Sequence, residues 1–107
     1  MIFYQYELII VNLDPTVGSE IKKTRPCVII SPNELNHNLS TLIIAPLTSA
    51  LKNYPTRIAF ILNDQESVIA LDQLRTIDKK RILKQIGFLD EKTILKIKAV
   101  IIEMLVD

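Results

Sequence analysis

Arg25 stands directly before Pro26 and the apolar run Cys27 to Ile30, at the end of a stretch that also carries Glu20, Lys22 and Lys23. A proline biases its predecessor towards extended backbone, so Arg25 is expected on a stiff mount at the start of a strand. From there its planar, permanently charged fork can be presented to a phosphate. Glu20 shares the same loop, and the two residues read either as a candidate site or as an ordinary surface ion pair. A second basic group, Arg75, Lys79, Lys80, Arg81 and Lys84, is either a solvated face or a track for a polyanion. Other chemistry is poorly provided for. Glycine occurs only at 18 and 87, which excludes a phosphate-cradling loop of the P-loop or dinucleotide type. His37, the only histidine, lies in the Asn-rich stretch 33–38 and reads as a solvated loop residue, with nothing near it in sequence to build a Ser-His or Cys-His pair. Cys27 lies inside an apolar run and reads as a small buried hydrophobe.

The elements that must position Arg25 follow from composition and period. The chain has 107 residues, 49% of them hydrophobic, which is expected to give one domain over 1–107 with its own core. Thirteen Lys and Arg balance 12 Asp and Glu, so any contact with nucleic acid must come from local clusters, not from overall charge. One cysteine and one histidine supply neither an intrachain disulfide nor a four-ligand zinc site, and a reducing compartment is the natural expectation. The start Met1 to Gln5 lacks a basic leader, and no apolar run approaches the roughly 18 residues that would span a bilayer, so a cytoplasmic protein without membrane contact is expected.

Short bursts rich in Ile and Val, at 8–11, 27–30, 42–45, 58–62 and 68–71, predict strands, with a sixth at 82–88. They are nearly continuous instead of alternating, which predicts strands covered on both faces or curled into a small barrel. Ile94, Ile97, Ile101, Met104 and Leu105 then recur at helical spacing after Asp90, a natural N-cap, and predict an amphipathic helix over about 91–106 lying on the sheet. The stretches 13–25 and 47–55 read as loops, and long ordered loops tend to carry function.

These residues contain a pattern. The run Asn12-Leu13-Asp14-Pro15-Thr16-Val17-Gly18-Ser19-Glu20, followed by Thr24-Arg25-Pro26-Cys27-Val28-Ile29-Ile30-Ser31-Pro32, resembles the signature of the MazF/PemK/Kid family of type II toxins. Ala45-Pro46-Leu47-Thr48-Ser49 resembles that family's third-strand end, and Ala70-Leu71-Asp72-Gln73-Leu74-Arg75-Thr76-Ile77-Asp78 resembles a further conserved-order block. The similarity runs in order from about residue 7 to 106. Three positions depart from the pattern. Tyr6-Glu7 stands where members have Gly-Asp or Gly-Glu, Ile21 to Thr24 lacks a glycine, and Ala70 replaces a basic residue found in one member.

The resemblance implies a mainly β fold, a small, strongly curved SH3-like barrel with a C-terminal helix, assembled as a homodimer. It implies a sequence-specific endoribonuclease acting on single-stranded RNA and restrained by a cognate antitoxin. RNA supplies its own nucleophile, the 2′-hydroxyl, so no cofactor and no metal is called for. By this resemblance Arg25 would stabilise the phosphorane oxygens, Thr48 and Ser49 would donate hydroxyls to the same phosphate, and Glu20 is the candidate general base, with the division of acid and base duties between Glu20 and Arg25 open because the family also assigns them to an arginine. Asp72 and Gln73 would read base edges, with a hydrogen-bonded turn as their alternative. Ser19, Lys22, Lys23, Lys52 and Arg57 would hold the rest of the strand. Two alternatives are a toxin of the same fold that binds a protein such as DNA gyrase, and a silent adaptor. Gyrase poisons of this fold use a C-terminal Trp, and this chain has no Trp.

Overall fold

The computed structural model describes residues 1–13, 24–49 and 54–106. Within them lie seven strands, β1 (Glu7–Asn12), β2 (Thr24–Ile29), β3 (Thr41–Thr48), β4 (Arg57–Leu62), β5 (Gln65–Ala70), β6 (Arg75–Asp78) and β7 (Ile82–Phe88). Two helices join them, α1 (Asn33–Asn38) and α2 (Glu91–Ile101). The strand order is β4-β5-β3-β2-β1-β7, with β6 paired to β3 as well. β3 runs antiparallel to β2 from Cys27↔Pro46 to Ile29↔Ile44. Its other edge is divided: residues 41–44 pair with β6, and Leu47 and Thr48 pair with β5. Pro46, which has no N–H to give, falls in the gap between those two ladders. A strand that follows partners in two directions bends, and the sheet curls into a half-barrel.

The curl produces two cores. On the side of α2, Leu8, Val28, Ala45, Leu47, Ile69 and Ile97 form one cluster; on the other, Phe3, Ile9, Cys27, Ile29, Leu42 and Ile44 form the second. Neighbouring residues of β1, β2 and β3 therefore go to opposite cores, which is why their apolar runs show no alternation. The expectation of strands buried on both faces is met in the central strands β1, β2 and β3, while β4 and β7 at the ends of the sheet keep exposed residues.

α2 begins at Asp90, whose carboxylate accepts the Thr93 N–H (3.3 Å) and its hydroxyl. Ile97 is fully buried on the sheet, with Ile94, Ile101 and Met104 packed beside it. The regular helix stops at Ile101, and Ile102–Val106 continues as a wider π-helical turn, so the expected 91–106 segment is helical in two parts.

Residues 33–38 form a short helix where a solvated loop was expected. Asn36, polar by type, is buried there, donating to the Ser31 carbonyl (2.7 Å) and accepting from the Ser31 hydroxyl. A ring nitrogen of His37 lies 3.1 Å from the Phe3 carbonyl oxygen, and the ring meets Tyr4 edge-on with centroids 5.4 Å apart. Tertiary contact with the N-terminal segment overrides the local composition. β6 was not anticipated either, because its four residues, Arg-Thr-Ile-Asp, bury a single side chain.

The first turn keeps the backbone of the glycine it lacks: Tyr6 has φ 68°. Its ring packs against the α2-side core, which offsets strain that glycine would not incur. The β4–β5 hairpin turns on Asn63 (φ 49°) and Asp64 (φ 63°), the two positive angles of a type I′ turn. Asp64→Gly is expected to stabilise the fold by about 0.5 kcal/mol, which raises Tm by about 2–4 °C. Thermal unfolding monitored by circular dichroism checks this, and a lower Tm would contradict the turn geometry.

Candidate active site

Antiparallel neighbours bring the start of one strand beside the end of the next. The start of β2, the end of β3 and the start of β5 therefore meet at one rim of the half-barrel. The β2–β3 ladder begins only at Cys27↔Pro46, so Thr24, Arg25 and Pro26 have no partner on that edge while they still pair with β1. That is also the position in a strand where a proline is tolerated. Between the parted strands lies a pocket of about 310 Å³, walled by Arg25 and its neighbours, Thr48 and Ser49, and Gln65, Glu66 and Ser67.

The period of the strands decides which side chains share a face. Cys27 and Ile29 point to the Phe3-side core, so Arg25, two residues further out, points the same way. Ile44 also faces that core, and counting by two along β3 puts Thr48 on the same face. Thr48 pairs with Val68, which carries the face across to β5 and to Glu66. Arg25, Thr48 and Glu66 thus project from three successive strands onto one side of the sheet. Arg25 and Thr48 were expected together, and the fold brings them together with Ser49. Glu66, with Gln65 and Ser67, was not anticipated; only the long-range β3–β5 register reveals it, and no local signal in the sequence does.

Cys27 behaves as the sequence suggests. Burial pushes its thiol up to about 12, while Arg25 and Arg75 pull in the opposite direction. Its Sγ lies 3.6 Å from the Arg25 carbonyl oxygen, tying the site's strand to the core as a weak contact.

A second polar cluster lies beyond β5. Asp72 sits in a 3-10 turn, and Arg57 donates to both of its carboxylate oxygens (Nε 3.2 Å, Nη2 3.3 Å) while the Thr56 hydroxyl donates at 3.1 Å. Arg57 also stacks over Tyr54, 5.3 Å from the ring centroid. The hydrogen bonds from Arg57 hold the Asp72 carboxyl below the usual carboxylate range. This corrects the expectation for Arg57: its side chain is only 10% exposed and is committed to Asp72, so it is no open cation for a passing backbone. It stands directly across the ladder from Ala70. Asp72 is part of the hydrogen-bonded turn that was its alternative reading. Neither it nor the exposed Gln73 lines the pocket of Arg25. Ser19, Glu20, Lys22, Lys23 and Lys52 lie outside the described residues.

Residues 4–105 match the family model described as PemK-like, MazF-like toxin of type II toxin-antitoxin system. The chain belongs to the PemK/MazF toxin family. It is similar to a Staphylococcus epidermidis protein named Endoribonuclease MazF, 33% identical over 97 residues covering 85% of this chain and 81% of that one. It is also similar to Endoribonuclease EndoA of Bacillus subtilis, 32% identical over 103 residues covering 91% and 89%. Among solved structures, a MazE-MazF crystal structure from Deinococcus radiodurans superposes with TM-score 0.83 at 20% identity, covering 98% of this chain and 97% of that one. An endoribonuclease in complex with its cognate antitoxin from a mycobacterial species gives 0.82 at 19% identity, covering 95% and 93%. These establish the PemK/MazF fold for the half-barrel. Among the described residues no helix is long and apolar enough to cross a membrane.

In this PemK/MazF toxin the thiol beneath Arg25 has a measurable signature. Cys27 ionises near 9.0 when unfolded and near 12 when folded, so the folded state binds the extra proton between those values. Stability is intact below pH 9 and falls as pH rises towards 12, by about 1.4 kcal/mol per pH unit at the steepest. Urea unfolding of the native protein and Cys27→Ala should diverge over that window, with the native protein losing more; parallel curves would mean the thiol is not desolvated.

Proposed function

We propose that the protein is an endoribonuclease toxin of a type II toxin-antitoxin system that cleaves single-stranded RNA, mRNA included, at the Arg25 pocket. Family membership and two relatives named endoribonucleases, at 33% and 32% identity, carry the activity. The observation that supports the site is the sharing of one sheet face and one pocket by Arg25 and Thr48, on strand ends that rigid ladders hold. A scissile phosphate between them receives the guanidinium fork on its non-bridging oxygens and the Thr48 hydroxyl beside it, with the Ser49 hydroxyl as a further donor.

The reaction is attack of the 2′-oxygen on the adjacent phosphorus. The 2′-O–P bond forms, the P–O5′ bond breaks, and the products are a 2′,3′-cyclic phosphate and a 5′-hydroxyl. Arg25 acts because negative charge grows on the equatorial oxygens as the phosphorane forms, so its attraction is larger in the transition state than in the bound substrate. A carboxylate takes the proton of the 2′-hydroxyl, and Glu20 is the residue the resemblance names. Asp72 and Gln73 read exposed base edges along the strand, and Ser19, Lys22 and Lys23 hold its backbone.

The whole chain works as one domain, in the cytoplasm, as a homodimer under an antitoxin whose acidic segment orders on the same groove. Support for the dimer comes from apolar side chains at the outer side of the C-terminal helical segment: Leu95, Ile102, Leu105 and Val106 are all more than half exposed.

Arg25→Ala should lower the cleavage rate by on the order of 10² or more while leaving the thermal unfolding curve nearly unchanged. Full activity in that folded variant would remove Arg25 from the site. Cleavage should persist in EDTA, with a cyclic-phosphate end detected by mass spectrometry; activity that requires added magnesium would refute this chemistry. Equilibrium sedimentation at micromolar concentration should return twice the chain mass, and a monomer that still cleaves RNA would refute the dimer.

A further inference from the structure

We propose that Glu66 is the residue that accepts the proton of the attacking 2′-hydroxyl, an inference that rests on the endoribonuclease reading given above. Glu66 is the one carboxylate that lines the pocket among the described residues. Across the rim the order is Arg25 on β2, Thr48 on β3 and Glu66 on β5, all three on the same face. Arg25 and Thr48 line the same pocket from the ends of β2 and β3, beyond the last paired residues, Cys27↔Pro46. Glu66 stands diagonal to Thr48 across the β3–β5 ladder, a spacing of about 7–8 Å that a glutamate side chain spans with ease.

That order matches what an in-line displacement needs. The entering 2′-oxygen and the leaving 5′-oxygen stand on opposite sides of phosphorus, so the group that takes the 2′-hydroxyl proton must stand to one side of the phosphate. A phosphate at Thr48 with its non-bridging oxygens on Arg25 leaves Glu66 beside the entering 2′-oxygen and the leaving 5′-oxygen open to water. A carboxylate is otherwise a liability in a pocket that binds a polyanion, because it repels every phosphate near it. The ion pair among the described residues joins Arg57 to Asp72, and Glu66 makes no such direct pair with a described cation. Uptake of the 2′-hydroxyl proton is a use for that negative charge which its place diagonal to Thr48 suits.

The step balances without a further reagent. The carboxylate takes the 2′-hydroxyl proton as the 2′-O–P bond forms; the P–O5′ bond breaks and the 5′-oxygen takes a proton from water; the hydroxide left behind removes the proton from Glu66.

The test uses the full-length protein and an RNA oligonucleotide containing one site that the native protein cleaves. Glu66→Gln keeps the size and polarity of an exposed side chain, so folding is expected to survive. Its single-turnover rate should fall by roughly 10²–10³. Its affinity for the same oligonucleotide carrying 2′-deoxyribose at the cleaved position should stay the same or rise, since a repelling charge has gone. Glu66→Asp should recover part of the rate. Cleavage by Glu66→Gln within fivefold of native, or a rate loss matched by an equal loss of affinity, overturns the proposal and returns proton removal to Glu20 or another group. A native protein that cleaves no RNA would instead refute the underlying reading, and is told apart because it fails before any variant is made.

Discussion

β3 must satisfy three partner strands on two edges with eight residues, and the rest of the structure follows from how it does so. One edge serves β2 throughout its paired length; the other is shared between β6 and β5, with Pro46 at the change of partner. β5 and β6 follow one another along that edge with the turn Leu71–Gln73 between them and a three-residue change of register, and the sheet curls where the partner changes. Bending gives the sheet two covered faces, each with its own core. It also leaves β2 and β3 apart at the rim, where Arg25 has a β1 partner but no β3 partner. The pocket is therefore a direct result of ladder termination and needs no dedicated binding loop among the described residues.

How much of this could be read beforehand depended on whether the signal was local. Each predicted strand exists because β-branched residues in bursts between turn formers leave few other conformations open. The C-terminal helix was legible for the same reason: Asp90 caps it, and Ile94, Ile97 and Ile101 keep one face. Arg25 was legible because Pro26 fixes its backbone whatever the rest of the chain does. What stayed hidden depends on partners remote in sequence. Asn36 is buried against Ser31 while the other residues of 33–38 stay exposed, so a stretch that looked solvated holds one packed polar side chain. Glu66 joins Arg25 only through the β3–β5 register, and Arg57 reaches Asp72 only through the β4–β5 ladder.

Charge is distributed in the same economical way. With a net charge of +1 the protein cannot attract RNA by its overall field, so individual cations must be left open where they are needed. Arg57 is not one of these: it is largely buried, stacked on Tyr54 and bonded to both oxygens of Asp72. That arrangement fixes the direction of the Asp72 carboxylate and lowers its affinity for protons. Arg25 is exposed at the rim, and its field extends inward as far as the buried Cys27 thiol.

β1 pairs on one side with β2, its neighbour in the chain, and on the other with β7, so that Glu7 lies opposite Phe88. The first and last strands close on each other. A chain made from its N-terminus onward cannot complete that second ladder until β7 has been synthesised, and closing so long a loop carries a large entropic cost before any contact repays it. Loop-closure entropy therefore sets the expectation that contacts of this separation form after the local β4–β5 hairpin and the helix. During that interval the outer edge of β1 is an unpaired, apolar strand edge, open to the wrong partner. The same closure, once made, clamps the first and last strands so that neither end can fray without breaking the ladder of the other.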